Sequence, residues 1–452
     1  MNDSRKLGTR REFLRRSLVT TAAFGFPAIL RSANPNSQLQ VAMIGADGMA
    51  YSDMMNIGSH PKVKFVGFCD IDSSHFEKAD KAFPGVPHFA DYVEMYDKLG
   101  DTVDAVSVGV PDHSHARASI EAMKRGKHVY CQKPLAHTVW ECRQMKLWAE
   151  KKGVITQMGN QIHSAIEYRL GVRLLRDGAI GKIKEVHSWI GVDGRERTAF
   201  DNRPPASLES APPDHVNWDL WIGPAPMRGY VKDTYHPFVW RDWQDFGGGA
   251  LGDFGCHVLD PIFTALELTA PRTVKAEHSG TNREVWSGPE KVSYEFPGTK
   301  WTSETLKITW YDGKLQPPKE LSLLPENLSL PAGGSLIIGE LGNMVLPHVA
   351  GPRMYPLEKF QGYAYPKDVK GLEHRHVWVD SIYSGEKTSD GFHYAGPLTE
   401  TVQLGNVAVR FPGQTLEWEE AGMKISSGGK THVEAEALLT KNYRKGFEVT
   451  PA

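Results

Sequence analysis

Asp253 and His257 stand four residues apart in the run Gly247-Gly248-Gly249-Ala250-Leu251-Gly252-Asp253-Phe254-Gly255-Cys256-His257-Val258-Leu259-Asp260. On a helix that spacing puts both on one face. A carboxylate beside an imidazole raises the imidazole's pKa and fixes its orientation, and such a base is suited to removing a hydroxyl proton. The glycine approach and apolar flanks favour this over an exposed surface pair. Lys133 follows the apolar run 128–131, within Gln132-Lys133-Pro134. A lysine at a strand's carboxyl end is costly to desolvate, and its charge can polarise a hydroxyl or orient a bound ribose.

The elements that must position these groups alternate. Apolar runs over 39–44, 63–69, 103–110 and 128–131 read as strands, with helical patterns between them such as 115–125, which closes at Gly126. That alternation predicts a parallel sheet covered by helices, with ligands at the strands' carboxyl ends. Beyond about residue 160 the rhythm changes. A helix over 165–176 leads to a strand over 183–190, then to an irregular aromatic stretch over 193–245. A helix begins near Gly252, and strand-like runs follow around Val274, 291–296 and 306–311. Residues 314–335 form a Pro- and Gly-rich surface excursion, and two further helices cover 376–384 and 399–410. The expected class is α/β: a dinucleotide-binding domain over 36–160, and an α+β domain with an open, largely antiparallel sheet over 161–452.

The first strand runs into Gly45-Ala46-Asp47-Gly48-Met49-Ala50, which approximates the fingerprint G-x-G-x-x-G/A. Gly45 allows the tight turn, and Ala50 permits close helix–strand packing. Asp47 takes the place of the middle glycine, where a carboxylate would face a pyrophosphate; Gly48 takes over part of the turn. Asp70 ends the second strand 25 residues after Gly45, where an acidic side chain accepts ribose hydroxyls and disfavours a 2′-phosphate. Asp72 is the alternative ribose contact. The third strand ends at Pro111-Asp112-His113-Ser114-His115. Asp112 or Ser114 is a helix-cap candidate there. The paired histidines have no convergent carboxylate nearby in sequence, so no metal is expected.

A net charge of -2 argues against nucleic acid as a partner. Cys69, Cys131, Cys142 and Cys256 form no C-x-x-C pair; Cys69 and Cys131 read as buried small hydrophobes. The segment Thr9-Arg10-Arg11-Glu12-Phe13-Leu14-Arg15, followed by an apolar stretch over 18–30, resembles a twin-arginine export signal. Residues 1–35 are therefore set apart, and the expected location is the periplasm, with no membrane association after signal removal.

The ensemble resembles the glucose–fructose oxidoreductase / inositol dehydrogenase / rhizopine catabolism (Gfo/Idh/MocA) family across the whole mature chain. The resemblance rests on the fingerprint turn, Pro111-Asp112-His113, Lys133-Pro134, and Asp253 with His257. It is strengthened by Trp218-Asp219-Leu220-Trp221-Ile222-Gly223-Pro224 and the run 247–260, which look like an exported branch. It implies a nicotinamide cofactor, NAD rather than NADP given Asp70, and hydride transfer from a CH–OH group of a sugar, polyol or glycoside. Lys133, Asp253 and His257 are implied as catalytic, with His257 the proton acceptor. Gly45, Asp47, Gly48, Met49, Ala50, Asp70, Pro111, His113, His115, Gln132, Lys133, Asn160 and Gln161 are the implied cofactor contacts. Gln132 departs from the family's glutamate, as Asp47 departs from its glycine. Trp189, Trp218, Trp221, Trp240 and Trp243, with Tyr230 and Tyr235 nearby, offer flat faces to a sugar ring or fill a core. The candidate substrate contacts are His163, His236, Trp240 and Arg241. The resemblance also implies a homo-oligomer, a dimer or tetramer, joined through the second domain's open sheet face. Two other readings stay open: a glycoside hydrolase that oxidises its substrate transiently and recycles NAD, and a carbohydrate-binding homologue whose catalysis has decayed.

Overall fold

In the computed structural model residues 38–278, 280 and 282–452 are described. The twin-arginine expectation over 1–35 lies outside them. The first sheet contains β1 (Leu39–Ile44), β2 (Val63–Cys69), β3 (His88–Phe89), β4 (Ala105–Val108), β5 (His128–Gln132) and β6 (Thr156–Gly159). All pairings are parallel, in the order β3-β2-β1-β4-β5-β6. This is the doubly wound arrangement, in which strand order reverses beside β1 and opens a crevice between β1 and β4. Every residue of β4, β5 and β6 is buried, as expected when helices cover both faces of a parallel sheet. Helix Val139–Lys152 shows how sequence sets boundaries here. Thr138 and Glu141 form a reciprocal capping box, and Gly153 closes the helix at φ 62°.

The second sheet contains β7 (Ile183–Ile190), β8 (Thr273–His278), β9 (Glu290–Pro297), β10 (Thr302–Tyr311), β11 (Gly333–Gly339), β12 (Asn343–Pro347), β13 (Arg353–Tyr355), β14 (Thr415–Glu419), β15 (Lys424–Ser427) and β16 (Lys430–Thr431). Its order is β13-β12-β11-β7-β10-β9-β8-β14-β15-β16. Of its pairings only β7 with β10 is parallel, so the sheet is mixed and mostly antiparallel, as expected. The excursion 314–335 supplies Leu324, Leu328 and Leu330 to a satellite core around Trp189, Tyr311 and Tyr355, and from Gly333 it enters β11.

The helix expected near Gly252 begins earlier and spans Gly249–Leu266. Gly249 requires its glycine: φ is +62°, and a Cβ would lie 2.8 Å from the Trp286 ring. The helix is buried nearly all round, between the second sheet and helix Phe392–Val409. Asp253, Phe254, His257 and Thr264 are its only residues not fully buried. All four cysteines are buried and unpaired.

The chain crosses between the two sheets more than once. Trp378, Val379 and Ile382 of helix His374–Ser384 pack in one core with Leu39, Val41 and Met43 of β1. That docking carries a charge. Arg375 meets Asp53 of helix Gly48–Gly58 at 2.9 Å, and Gln132 Nε2 donates to the same carboxylate at 2.6 Å. Burial pushes the Asp53 pKa up and Arg375 pulls it down. Gln132 therefore points to Asp53, and the amide solves a problem that glutamate would create. In Gln132→Glu two buried carboxylates would face each other. The variant is expected to lose about 3 kcal/mol of stability; a wild-type urea midpoint would contradict this account.

Candidate active site

Asp253 reaches Lys133 rather than His257. Lys133 Nζ donates to Asp253 Oδ1 at 2.6 Å and to its backbone oxygen at 2.7 Å. Arg197 Nη2 donates to Oδ2 at 3.0 Å, and Arg241 Nε lies 3.7 Å from the same oxygen. Burial opposes ionisation of Asp253, but Lys133, Arg241 and Arg197 hold its carboxyl well below the usual range. The expected effect on His257 is reversed. Burial, then the charge of Lys133, push its pKa well below normal, although Asp253 pulls the other way. His257 is therefore a neutral imidazole near pH 7, and its buried Nδ1 has no hydrogen-bond partner among the described residues. Its ring lies 5.8 Å from that of His348, whose Nδ1 is 3.1 Å from Tyr168 Oη.

Two more contacts fix the helix that carries this pair. Asn160, just past β6, donates to Cys256 O at 3.1 Å. His163 Nδ1 meets Asp260 at 2.9 Å, while its Nε2 meets Ser389 Oγ at 2.9 Å. Positions 253, 256 and 260 follow helical spacing along one face, so this face is docked onto the carboxyl ends of β5 and β6. Burial opposes the charge on His163, but Asp260 raises its pKa to about 9. With both ring nitrogens engaged, His163 positions the helix. Asn160 Oδ1 is buried and unpartnered among the described residues.

The fingerprint turn is built as its sequence requires. Gly45 has φ +100°, and a Cβ there would lie 2.7 Å from Gly109 O and 2.8 Å from Ala50 Cβ. Gly48 has φ +57° and open space where a Cβ would point. Asp47 is drawn aside to Lys78 at 2.8 Å. Partial burial resists its ionisation, but Lys78 and the Gly48 N–H outweigh it. Asp47 makes no side-chain cap bond at the start of helix Gly48–Gly58, which leaves the Met49 and Ala50 amides uncapped by it. Met49 is exposed, with Gln161 Nε2 3.9 Å from its sulfur. Asp70 accepts from the N–H groups of Ala46 and Asp72, each at 2.9 Å, and meets His75 Nδ1 at 3.1 Å. Three of roughly four acceptor positions are thus used, and one remains. Asp72 is unsuited to the ribose role: Ser74, His215, His236 and His75 surround its carboxylate.

Several expected contacts have other partners. Pro111 precedes helix Asp112–Lys124. His113 Nε2 lies 3.0 Å from Trp221 O, with its ring against Trp221 and Phe246. His115 places its ring nitrogens 2.8 Å from Pro134 O and 2.7 Å from Val110 O. Both side chains tie the helix start to neighbouring backbone, which takes them out of the cofactor crevice. His236 partners Asp72 and not the Lys133–Asp253 pair. Trp218, Trp221, Trp240 and Trp243 are buried in one aromatic cluster, so they serve as core and not as a sugar platform. Arg241 stacks on Trp240 at 4.2 Å and on Phe238 at 4.5 Å, facing Asp253.

Sequence reading missed Arg197 and His348. Arg197 lies in an irregular segment and is held by the fully buried Asp242, which also accepts the N–H groups of Arg197 and Thr198 at 2.7 Å each. Asp112 was read only as a cap candidate. Its burial raises the carboxyl to about 7, against the pull of Lys133.

Residues 39–160 match the model described as "Oxidoreductase family, NAD-binding Rossmann fold", and residues 204–299 match "Oxidoreductase family, C-terminal alpha/beta domain". The chain is 23% identical over 230 residues to glucose-6-phosphate 3-dehydrogenase of Bacillus subtilis, covering 50% of this chain and 54% of that protein. It is 30% identical over 123 residues to a glycosyl hydrolase family 109 protein of Solibacter usitatus, covering 25% and 28%. The chain thus spans about half the length, or less, of the curated relatives it matches. The WlbA dehydrogenase of Bordetella pertussis, solved with NADH and UDP-GlcNAcA, shares the fold at a TM-score of 0.60 and 16% identity, covering 85% of this chain and 98% of that one. With one family domain on each of its two sheets, this chain belongs to the Gfo/Idh/MocA oxidoreductase family.

Proposed function

We propose that the chain is an NAD-dependent oxidoreductase that moves hydride from a CH–OH group of a sugar, polyol or glycoside. The observation that carries this reading is Lys133 at the carboxyl end of β5, held 2.6 Å from Asp253 with neutral His257 one turn further on. The residues present fit a dinucleotide. The uncapped Met49 and Ala50 amides suit a pyrophosphate, Gly48 leaves room for it, and Asp70 retains an acceptor for a ribose hydroxyl. NAD, when bound, supplies the hydride acceptor. Lys133 polarises the substrate hydroxyl, and the neutral imidazole of His257 takes its proton. Asp253 positions the Lys133 ammonium, with Arg197 and Arg241 holding the carboxylate from its other side.

The partial likeness to a glycosyl hydrolase family 109 protein supports a second reading, in which NAD is recycled while a glycoside is cleaved. Against the decayed-homologue reading, Asp47 and Gln132 each have a partner that accommodates them.

His257→Ala is expected to cut turnover by about 10²–10⁴ with NAD affinity nearly intact. Lys133→Ala should also cut turnover, with weaker NAD binding. Wild-type turnover by both variants on a verified substrate would displace the site, and glycoside cleavage without net accumulation of NADH would select the second reading. Calorimetry is expected to show tighter binding of NAD than NADP, because the Asp70 carboxylate opposes a 2′-phosphate; equal or tighter NADP binding would overturn that preference. We further propose periplasmic export through the paired arginines. Joint replacement of Arg10 and Arg11 by lysine should retain the protein in the cytoplasm, and its normal appearance in the periplasmic fraction would refute export by this route.

A further inference from the structure

We propose that His75, His236 and Asp72 form a binding site for a divalent cation of the zinc class, separate from the Lys133–Asp253 group. The donor atoms of the three residues all lie within 4.8 Å of one another. Asp72 Oδ2 is 2.9 Å from His236 Nε2 and 3.5 Å from His75 Nε2. Ligand atoms bound to one tetrahedral zinc at about 2.0–2.1 Å are roughly 3.3 Å apart, so the two Asp72 pairs need shifts of a few tenths of an ångström, and the His75–His236 pair, within 4.8 Å, closes by a rotation of the exposed-side imidazole. Asp72 is 4% exposed, and the His236 side chain 10%.

The surroundings match what a metal-binding imidazole needs. His75 Nδ1 faces Asp70 Oδ2 at 3.1 Å. A proton on Nδ1 directed at that carboxylate leaves the Nε2 lone pair facing Asp72, and this carboxylate–imidazole arrangement fixes the tautomer of metal-binding histidines. In that tautomer a lone pair and a carboxylate oxygen confront each other at 3.5 Å, and a cation between them relieves the repulsion. A second proton on His75 is the competing cation. His215 Nδ1, 2.8 Å from Asp72 Oδ1, orients the carboxylate from its exposed side. Imidazole and carboxylate donors together favour zinc among common divalent ions. The spacing of these residues in the chain explains why no metal was expected: His236 is 164 residues from Asp72. A bound ion would clamp the end of β2 to a segment of the second family domain.

The test is calorimetric titration of zinc into tag-free, chelator-treated full-length protein, with cobalt(II) absorption as a second readout on the wild type. A single equivalent is expected to bind with micromolar or tighter affinity, to raise the thermal midpoint, and to give cobalt spectra of a four-coordinate N/O site. Binding should weaken by at least about 100-fold in His236→Gln and in Asp72→Asn, given that even outer partners of a ligand are worth 10–100-fold. Absence of saturable binding by the wild type would overturn the site and leave a protonated His75. Binding retained in both variants would also overturn it, because the ion would then sit elsewhere.

Discussion

One face of helix Gly249–Leu266 is docked onto the carboxyl ends of β5 and β6, and the rest of the candidate site follows from that docking. Lys133 meets Asp253, Asn160 meets the Cys256 carbonyl, and His163 meets Asp260. Buried pairs of this kind seldom add stability over a well-packed apolar contact, since desolvation offsets the attraction. Their consequence here is geometric. A helix otherwise buried nearly all round is held in one rotation, with Asp253, Phe254 and His257 left facing the crevice. Because Asp253 is taken by Lys133, Arg197 and Arg241, it does not support a charged His257. The imidazole stays neutral and open to a proton, while burial and the Lys133 charge make it a weaker base than a free imidazole.

The same logic explains the two departures from the family pattern. Each removes or adds a charge at a sensitive place, and each has a structural partner. Asp47 would repel a pyrophosphate if it projected inward, but Lys78 draws it aside. Gln132 gives up a charge beside Lys133, but its amide is needed by Asp53, whose other partners are Tyr130 and, 322 residues away in sequence, Arg375. The charges have been redistributed rather than lost.

The parallel sheet was legible because strand and helix periods alternate cleanly from Leu39 to Gly159 and glycines mark the turns. The Gly45 turn, Asp70 and the Lys133 position followed from local spacing. The i,i+4 relation of Asp253 and His257 was also correct as geometry, but it could not say which neighbour Asp253 would choose. Lys133 and Arg197 lie 120 and 56 residues away from it, and only tertiary packing brings them together. Buried Asp53 was visible in principle, as a charge on the apolar face formed by Ala50, Met54 and Ile57. His113 and His115 misled for the opposite reason: histidine near a strand's end reads as chemistry, while the fold uses these rings to satisfy backbone carbonyls.

The central claim is that this crevice passes hydride from a sugar carbon to a bound nicotinamide. Its most direct test is isotopic. The protein is incubated with NAD and carbon-deuterated sugars that calorimetry shows to bind, and the nucleotide is recovered and weighed by mass spectrometry. The account predicts a reduced nucleotide carrying a single deuterium from the substrate. Saturable sugar binding with no deuterium in the nucleotide, under any substrate that binds, would contradict it.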